Sequence, residues 1–240
     1  MLELRDLSFR AGQNEILHDI SLTIPERRFV VVTGPNGGGK TTLARLIMGI
    51  DPPSGGRILL DGEDITALSV TERAQRGISY GFQQPPRFKG LTVRDLLNIA
   101  SGSPMSHDAA CEYLTKVGLC ARDYIDRDVD AGLSGGEVKR IEIATVLARK
   151  GRVMIFDEPE AGIDLWSFAR LTETFRELHA RRDATIIVIS HQERIIRLAD
   201  EIVLIAGGRL AERGSVEELF PKIMAQTVAG CRKLEADGQC

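Results

Sequence analysis

Three segments of this chain combine residue types and spacings that suit phosphate chemistry. GPNGGGKTT (34–42) joins glycines to a lysine and two threonines, LSGGE (133–137) joins a serine to two glycines, and VMIFDE (153–158) ends an apolar run in two carboxylates. Glycine-rich turns bind anions through backbone N–H groups, and hydroxyl and carboxylate oxygens suit Mg²⁺. The segments predict a site for a nucleoside triphosphate and its metal ion, over which a second copy of the chain closes.

The first segment has the flanks that a phosphate-binding loop requires. An apolar run over 29–33 predicts a buried strand, and a helical pattern begins near 39–41. The four glycines of the segment lack a Cβ and so allow positive φ, which lets successive N–H groups point at an anion beside a helix N-terminus. The residues predicted to bind the nucleotide here are Gly34, Pro35, Asn36, Gly37, Gly38, Gly39, Lys40, Thr41 and Thr42.

Two side chains of this loop have specific predicted roles. Lys40 is expected to contact the β- and γ-phosphates, and the Thr41 hydroxyl is expected to ligate Mg²⁺ directly. The alternative is a glycine turn that only joins a strand to a helix. It is disfavoured because every fixed position of the phosphate-loop pattern is present.

The carboxylate pair follows a second apolar run, as expected at the carboxyl end of a central parallel strand. Asp157 is predicted at the strand tip, where it would hold Mg²⁺ through a water molecule. Glu158, one residue further on, could polarise an attacking water. The alternative is that both acids only end a strand in solvent, and the presence of a phosphate-binding loop in the same chain disfavours it.

Two more polar residues follow apolar runs. His191 comes after the run 184–190 and would lie in the same crevice as Asp157 if the two strands are parallel neighbours. A neutral imidazole there could donate to the γ-phosphate and hold Glu158 and the water in line. Gln83 follows the run 78–82, and its amide could reach both Mg²⁺ and the water. Alone, each would be an ordinary solvated residue. The predicted catalytic set is Glu158, His191, Gln83 and Lys40, and the predicted metal set is Thr41, Gln83 and Asp157.

LSGGE predicts a helix start with a serine hydroxyl and free N–H groups at Ser134, Gly135 and Gly136. This is an anion site without a lysine. One subunit already holds a nucleotide in its phosphate loop, so the second site is surplus within a single copy. An ordinary N-cap, with Glu137 completing a capping box, is compatible with this role.

These segments, in this chain order, resemble those of ATP-binding-cassette (ABC) ATPases. LSGGE resembles the signature motif, Gln83 in YGFQQP the Q-loop glutamine, 160–164 the D-loop, and His191 in VISHQE the switch histidine. The resemblance covers nearly the whole chain. It implies an α/β, RecA-like P-loop NTPase fold, in which a mostly parallel sheet core carries an N-terminal antiparallel β subdomain and a helical subdomain. It also implies a head-to-tail dimer that binds two MgATP between Lys40 and Thr41 of one copy and 134–136 of the other.

The chain is expected to form one domain. Residues 1–83 and 141–225 are predicted to form the nucleotide-binding core with its β subdomain, 84–140 the helical subdomain, and 226–240 a C-terminal tail. The stretch 84–90, which Pro85 and Pro86 stiffen, is the predicted docking edge for a partner.

Three functions could use these motifs. SGGEVKR, FQQP and EAGIDL resemble SufC-type ATPases, which implies iron–sulfur cluster assembly with a SufB- or SufD-like scaffold; the short helical segment departs from that subfamily. The alternative is the ATP-binding subunit of a membrane transporter with a permease partner. A P-loop kinase is disfavoured because LSGGE and His191 would have no task in it.

One position departs from the family pattern. An aromatic residue usually stacks on adenine about 25 residues before the phosphate loop, and the alignment puts Ala11 there. Phe9 is the nearest ring, but its alternation with Leu7 predicts that it faces a core. What contacts adenine is therefore left open.

Composition excludes several classes of protein. Thirty-one basic and 34 acidic side chains give a net charge of −3, which does not favour a nucleic-acid surface. The apolar runs are too short to span a membrane, and the first residues lack a signal-peptide pattern, so a cytoplasmic location is expected. The spacing of the cysteines does not suit a metal or redox site, although a role for a tail cysteine stays open. They are Cys111, Cys120, Cys231 and Cys240.

Overall fold

The computed structural model describes residues 1–225, which form two β-sheets with helices on both sides of the larger one. The strands in this part are β1 (Leu2–Ala11), β2 (Asn14–Ile24), β3 (Phe29–Thr33), β4 (Gly55–Leu60), β5 (Glu63–Asp64), β6 (Ile78–Gly81), β7 (Val153–Asp157), β8 (Thr185–Ile189), β9 (Glu201–Ala206) and β10 (Arg209–Gly214). The helices with both ends described are α1 (Lys40–Met48), α2 (Val70–Gln75), α3 (Val93–Ser101), α4 (His107–Lys116), α5 (Ala121–Tyr124), α6 (Gly135–Ala148), α7 (Leu165–Arg181) and α8 (Glu193–Ile196).

The larger sheet has the order β10-β9-β3-β8-β7-β6, and all its neighbouring pairs are parallel except β10 with β9. The smaller sheet, β2-β1-β4-β5, is antiparallel throughout. The strands β3, β7 and β8 are buried at every residue, as expected for strands covered on both faces. The predicted α/β class with a mostly parallel core and an antiparallel N-terminal sheet is confirmed.

Two apolar cores lie on opposite faces of the larger sheet. Alternate residues of β3 separate into them: Val30 and Val32 pack with the antiparallel sheet and α1, whereas Phe29 and Val31 pack with the helical part of the chain. This division follows from the two-residue period of a strand. The phosphate-binding segment between β3 and α1 is therefore anchored to both cores.

The segment 84–140, predicted to be helical, contains α3 and α4, and each begins at a side-chain cap, Thr92 and Ser106. Residues 216–225 are also helical. The predicted tail, 226–240, lies outside the described residues. Within residues 1–225, no helix has the length and apolar character needed to cross a membrane. The domain limits and the cytoplasmic location remain predictions.

A buried arginine closes the far end of the helix that carries the phosphate-binding segment. Arg73 is only 1% exposed, and its guanidinium donates to the backbone oxygens of Leu46 at 2.6 Å and Ile47 at 2.9 Å, the last full turn of α1. Further bonds reach the oxygens of Thr66 and Leu68. The positive charge thus satisfies carbonyl groups at a helix C-terminus, where the helix dipole favours it.

We expect Arg73→Met to lower the free energy of unfolding by about 3 kcal/mol, because buried carbonyls lose charged hydrogen-bond donors. Urea denaturation measures the change. Arg76→Met is the matched control, since Arg76 pairs with Glu63 at the surface, where an ion pair contributes little to stability. Equal losses in the two variants would contradict the role given to Arg73.

Candidate nucleotide-binding and hydrolytic site

The carboxyl ends of the parallel strands open into a cleft of about 510 Å³. A cleft at this edge of an open parallel sheet is where such folds bind ligands, and its volume is typical of ligand sites. The residues that line it are Ile16, Asn36, Gly37, Gly38, Gly39, Lys40, Thr41, Thr42, Gln83 and Glu158. The cleft thus brings together most of the predicted phosphate-binding residues and three of the four predicted catalytic residues, Lys40, Gln83 and Glu158.

The backbone of the phosphate-binding loop needs its glycines for two different reasons. Gly34, Gly37 and Gly39 have φ values of 136°, 75° and 100°, which residues other than glycine rarely adopt. Gly38 does not have positive φ, so that part of the prediction was wrong. A Cβ at Gly38 would lie 2.9 Å from the oxygen of Pro35, and close packing is what requires glycine there.

Lys40 is held inside the loop that precedes it. Its Nζ donates to the backbone oxygens of Gly34 and Pro35, each at 2.8 Å, and the residue is 6% exposed. Burial lowers the pKa of Lys40, and the nearby carboxylates of Glu158 and Asp157 act in the opposite direction. The ammonium group is thus fixed beside the N-terminus of α1, where it can meet a phosphate.

Asp157 ends β7, as predicted, and contacts the first turn of α1. The Thr41 hydroxyl donates to its Oδ1 at 3.2 Å, and the Tyr80 hydroxyl donates to its Oδ2 at 2.9 Å. Burial raises the pKa of Asp157, which is fully buried. A buried carboxylate beside a hydroxyl oxygen is a donor set that suits Mg²⁺, because a divalent cation would offset the cost of keeping the carboxylate ionised.

Glu158 has an uncommon backbone conformation. Its φ is 45°, in the left-handed region, and its N–H donates to the oxygen of Ile189 at 3.0 Å. Gln83 Nε2 donates to Glu158 Oε2 at 2.9 Å, although the two residues are 75 positions apart. Strained backbone that the surrounding structure maintains is concentrated at functional sites. The contact places two predicted catalytic side chains at one point of the cleft.

His191 lies two residues after the end of β8, and β8 pairs in parallel with β7 so that Asp157 is opposite Ile189. The predicted relation between the two strands is therefore confirmed. The Nδ1 atom of His191 lies 3.5 Å from Thr33 Oγ1 at the end of β3. Desolvation and the charge of Lys40 lower the pKa of His191, which favours the neutral imidazole at neutral pH.

The signature segment lies outside this cleft. Ser134 caps α6 and forms the predicted capping box with Glu137, and Ser134 and Gly135 are exposed. Hydrogen bonds from Tyr124 and Ser134 lower the pKa of Glu137 to about 2. A Cβ at Gly136 would lie 2.4 Å from the oxygen of Gly162, so this turn packs against the 160–164 loop. The exposed helix start does not line the cleft of its own chain.

Sequence analysis missed several residues near the site. Ile16 lines the cleft although no motif contains it. The Tyr80 hydroxyl donates to Asp157, but in the sequence Tyr80 is only one member of the apolar run 78–82. Ala11 is exposed and does not line the cleft, while Phe9 packs against a core as predicted. Cys111 and Cys120 are free thiols, and the tail cysteines lie outside the described residues.

Sequence comparisons relate the chain to proteins of known family. The family profile described as ABC transporter matches residues 17–161. An uncharacterized ABC transporter ATP-binding protein of Methanocaldococcus jannaschii is 36% identical over 100% of this chain and 98% of its own length. A sulfate/thiosulfate import ATP-binding protein of Cucumis sativus is 35% identical, and an Fe(3+) ions import ATP-binding protein of Escherichia coli is 33% identical, each over 91% of this chain. The chain spans 64% and 63% of the lengths of these two proteins.

Solved structures give the same picture of the fold. A bacterial Atm1-family ABC exporter with ATP bound matches with a TM-score of 0.81 and 26% identity, over 92% of this chain and 40% of that chain. A dimeric post-hydrolysis state of an ATP-binding cassette bound to ADP and Pi matches with a TM-score of 0.80 and 24% identity, over 90% of this chain and 99% of that chain. The names of these two structures and of the three relatives above do not refer to iron–sulfur cluster assembly.

Proposed function

The chain belongs to the ABC transporter family and is an ATP-binding ATPase of that family, and we propose that it is the subunit that powers a membrane transporter. The names of the import relatives support transport, and the observation that carries the proposed ATP-driven dimer is the separation of two anion sites. One is the cleft around Lys40, and the other is the exposed start of α6 at 134–136. Two copies arranged head to tail would bring the second site of each over the cleft of the other.

Within this arrangement each residue has a defined task. Lys40 and the N–H groups of the loop bind the β- and γ-phosphates of ATP, as a helix N-terminus and a lysine favour. Glu158 orients water and accepts its proton, and Gln83, bonded to Glu158 at 2.9 Å, restricts where that water lies. A neutral His191 donates to the γ-phosphate. Loss of that phosphate after hydrolysis removes the group that the two copies share, so they separate.

The metal site would be formed by Thr41 and Asp157, with Gln83 entering from its loop. The Thr41 hydroxyl and the buried Asp157 carboxylate are 3.2 Å apart, which brings two hard oxygen donors together at the phosphate end of the cleft. Bound Mg²⁺ supplies charge stabilisation to the transferring phosphoryl group. The chain's own part is to fix the two oxygens and to exclude other ligands by burial.

The partner would dock at an apolar cleft of about 190 Å³ on the helical side. Its wall includes Pro86 and Phe88 of the predicted docking edge, together with Ile99 of α3. Phe88 is 42% exposed and Ile99 is 63% exposed, which is unusual for large apolar side chains at a concave surface. A short helix from a permease, with an apolar side chain to insert, fits this cleft and would lie beside Gln83.

We expect Phe88→Asp to remove the protein from the membrane fraction that holds its permease. Burying a charge in place of an aromatic anchor weakens binding by about 2 kcal/mol or more, or roughly thirtyfold. The measurement is co-purification with the permease from the native host. Val70→Asp is the control, because Val70 is also exposed but lies at the start of α2, where an acidic side chain is tolerated. Undiminished co-purification of Phe88→Asp would contradict this docking site.

Cluster assembly is the second candidate, and Glu137 and Lys139 in the signature helix are the residues that favour it by resemblance. Transport is better supported, because the relatives named for a substrate are import subunits. Isolation of the native complex separates the two functions. A polytopic membrane partner would support transport, and a soluble cluster-binding scaffold in its place would overturn it.

A further inference from the structure

A buried lysine and a largely buried glutamate lie side by side behind the hydrolytic site. Lys139 and Glu142 project from the same side of α6, and their side chains are 2% and 10% exposed. Neither lines the nucleotide cleft. Burying charged groups costs free energy unless they are paired and hydrogen-bonded, so their contacts need an explanation.

Lys139 binds the main chain at two positions next to predicted catalytic residues. Its Nζ donates to the backbone oxygen of Phe82 and, at 3.0 Å, to the backbone oxygen of Asp157. Phe82 precedes Gln83, and Asp157 precedes Glu158. One ammonium group therefore ties together the two chain segments from which Gln83 and Glu158 extend.

Glu142 holds the second polar group of the Phe82 backbone, its N–H. Its Oε1 accepts a hydrogen bond from the Phe82 N–H at 2.9 Å, and its Oε2 lies 3.5 Å from Lys139 Nζ. Both polar groups of the Phe82 backbone are thus bonded to side chains of one helix. Glu142 also lines the apolar docking cleft, so it contacts the place where a partner would bind.

We propose that Lys139 and Glu142 are a positioning pair for ATP hydrolysis. By fixing the main chain at Phe82 and Asp157, they set the 2.9 Å contact between Gln83 and Glu158 that restricts the attacking water. The same helix begins at 134–136, so a change at the signature segment reaches the hydrolytic site through this pair. The inference rests on the roles proposed above for Gln83 and Glu158.

The test is the steady-state kinetics of Lys139→Met, which keeps the length of the side chain and removes its donors. We expect kcat to fall about 10- to 100-fold, because small displacements of catalytic groups have effects of that size. KM for ATP should change less than about threefold, since phosphate binding is not involved. Glu142→Gln keeps an oxygen for the Phe82 N–H and should lose less activity. Thr145→Val is the control on the same helix, because its hydroxyl bonds only to the helix backbone.

A cycle with Gln83→Ala distinguishes positioning from a general structural effect. If Lys139 acts by setting the contact between Gln83 and Glu158, the double variant should lose clearly less kcat than the product of the two single losses, whereas independent losses multiply. Multiplied losses, or a folded Lys139→Met with wild-type kcat, would overturn the proposal. If Lys139→Met does not fold, Lys139→Met/Glu142→Leu removes both buried charges together, and replacing such a pair with apolar side chains is often tolerated. Should that variant also fail to fold, the same cycle is run with the shape-conserving Glu142→Gln. Losses of kcat that multiply with those of Gln83→Ala would overturn the proposal there too.

Failure of this inference can be told apart from failure of the proposed function. If Glu158→Gln loses turnover while Lys139→Met behaves like Thr145→Val, only the positioning pair is wrong. If Glu158→Gln hydrolyses ATP normally, the proposed role of Glu158 is wrong, and the positioning role of Lys139 and Glu142 fails with it.

Discussion

Glu158→Gln is expected to bind ATP, to stop at that stage and to accumulate as a dimer. The amide keeps the shape of the carboxylate but is not a base, so turnover should fall about 10²- to 10⁴-fold, the usual contribution of general base catalysis. Phosphate release measures turnover, and light scattering coupled to size exclusion measures the mass with and without ATP. A doubled mass only with ATP is the expected result.

The single tryptophan of the chain gives an independent readout of this dimer. Trp166 is 84% exposed at the start of α7, and its neighbour Ser167 bonds to Arg140 of the signature helix at 2.7 Å. A second copy that covers the start of α6 should therefore also shield Trp166, and its emission should shift to shorter wavelength on addition of ATP.

The control for this experiment is Glu177→Gln, which neutralises an exposed carboxylate on α7. It should hydrolyse ATP like the wild type and should not accumulate as a dimer. Wild-type turnover in Glu158→Gln would show that another group activates the water. A monomeric Glu158→Gln with bound ATP would contradict the head-to-tail arrangement instead.

The parts of the site that sequence predicted are those that local pattern determines. The order of strand, glycine turn and helix follows from residues 29–48 alone, because each element has its own short-range signal. Asp157 could be placed at a strand tip because an apolar run ends there. The Ser134 cap was predictable for the same reason, since Glu137 stands three residues further on.

Contacts between distant segments could not be obtained in this way. The bond between Gln83 and Glu158 depends on β6 and β7 being neighbours, which no local pattern encodes. The charges of Lys139 and Glu142 would usually indicate a solvated helix face, but α6 is enclosed by the helical core, the larger sheet and the Gln83 loop. Arg73 was missed for a related reason, because its partners are backbone carbonyls that leave no trace in the sequence.

For the glycines of the phosphate-binding loop, the sequence predicted the residue type correctly at every position but the physical reason for it at only three. All four in the phosphate-binding loop are required, but positive φ accounts for only three of them. At Gly38 the constraint is space, since the oxygens of Pro35 and Ile205 lie within 3.0 Å of a possible Cβ. Sequence identifies the residue type, and only the tertiary structure shows which physical constraint selects it.

Lys40→Met is expected to have the second of the two largest effects, the loss of both ATP binding and turnover. Charged hydrogen bonds to a ligand contribute about 1.5–3 kcal/mol each, so affinity should fall roughly 10- to 100-fold. Loss of charge stabilisation in the transition state should lower turnover by about 10³-fold. Calorimetric titration with a non-hydrolysable ATP analogue measures affinity, and phosphate release measures turnover. Lys222→Met, on an exposed lysine, is the control.

The two bonds from Lys40 to the loop backbone make this test more specific than removal of a charge. Nζ bonds to the oxygens of Gly34 and Pro35, so Lys40→Met also removes a constraint on the loop backbone. Lys40→Arg keeps the charge, but a planar guanidinium cannot reproduce both 2.8 Å bonds in the same space, and we expect it to fail as well. Recovery of binding in Lys40→Arg would mean that charge alone is sufficient. Normal affinity and turnover in Lys40→Met would remove the phosphate-binding role of this loop.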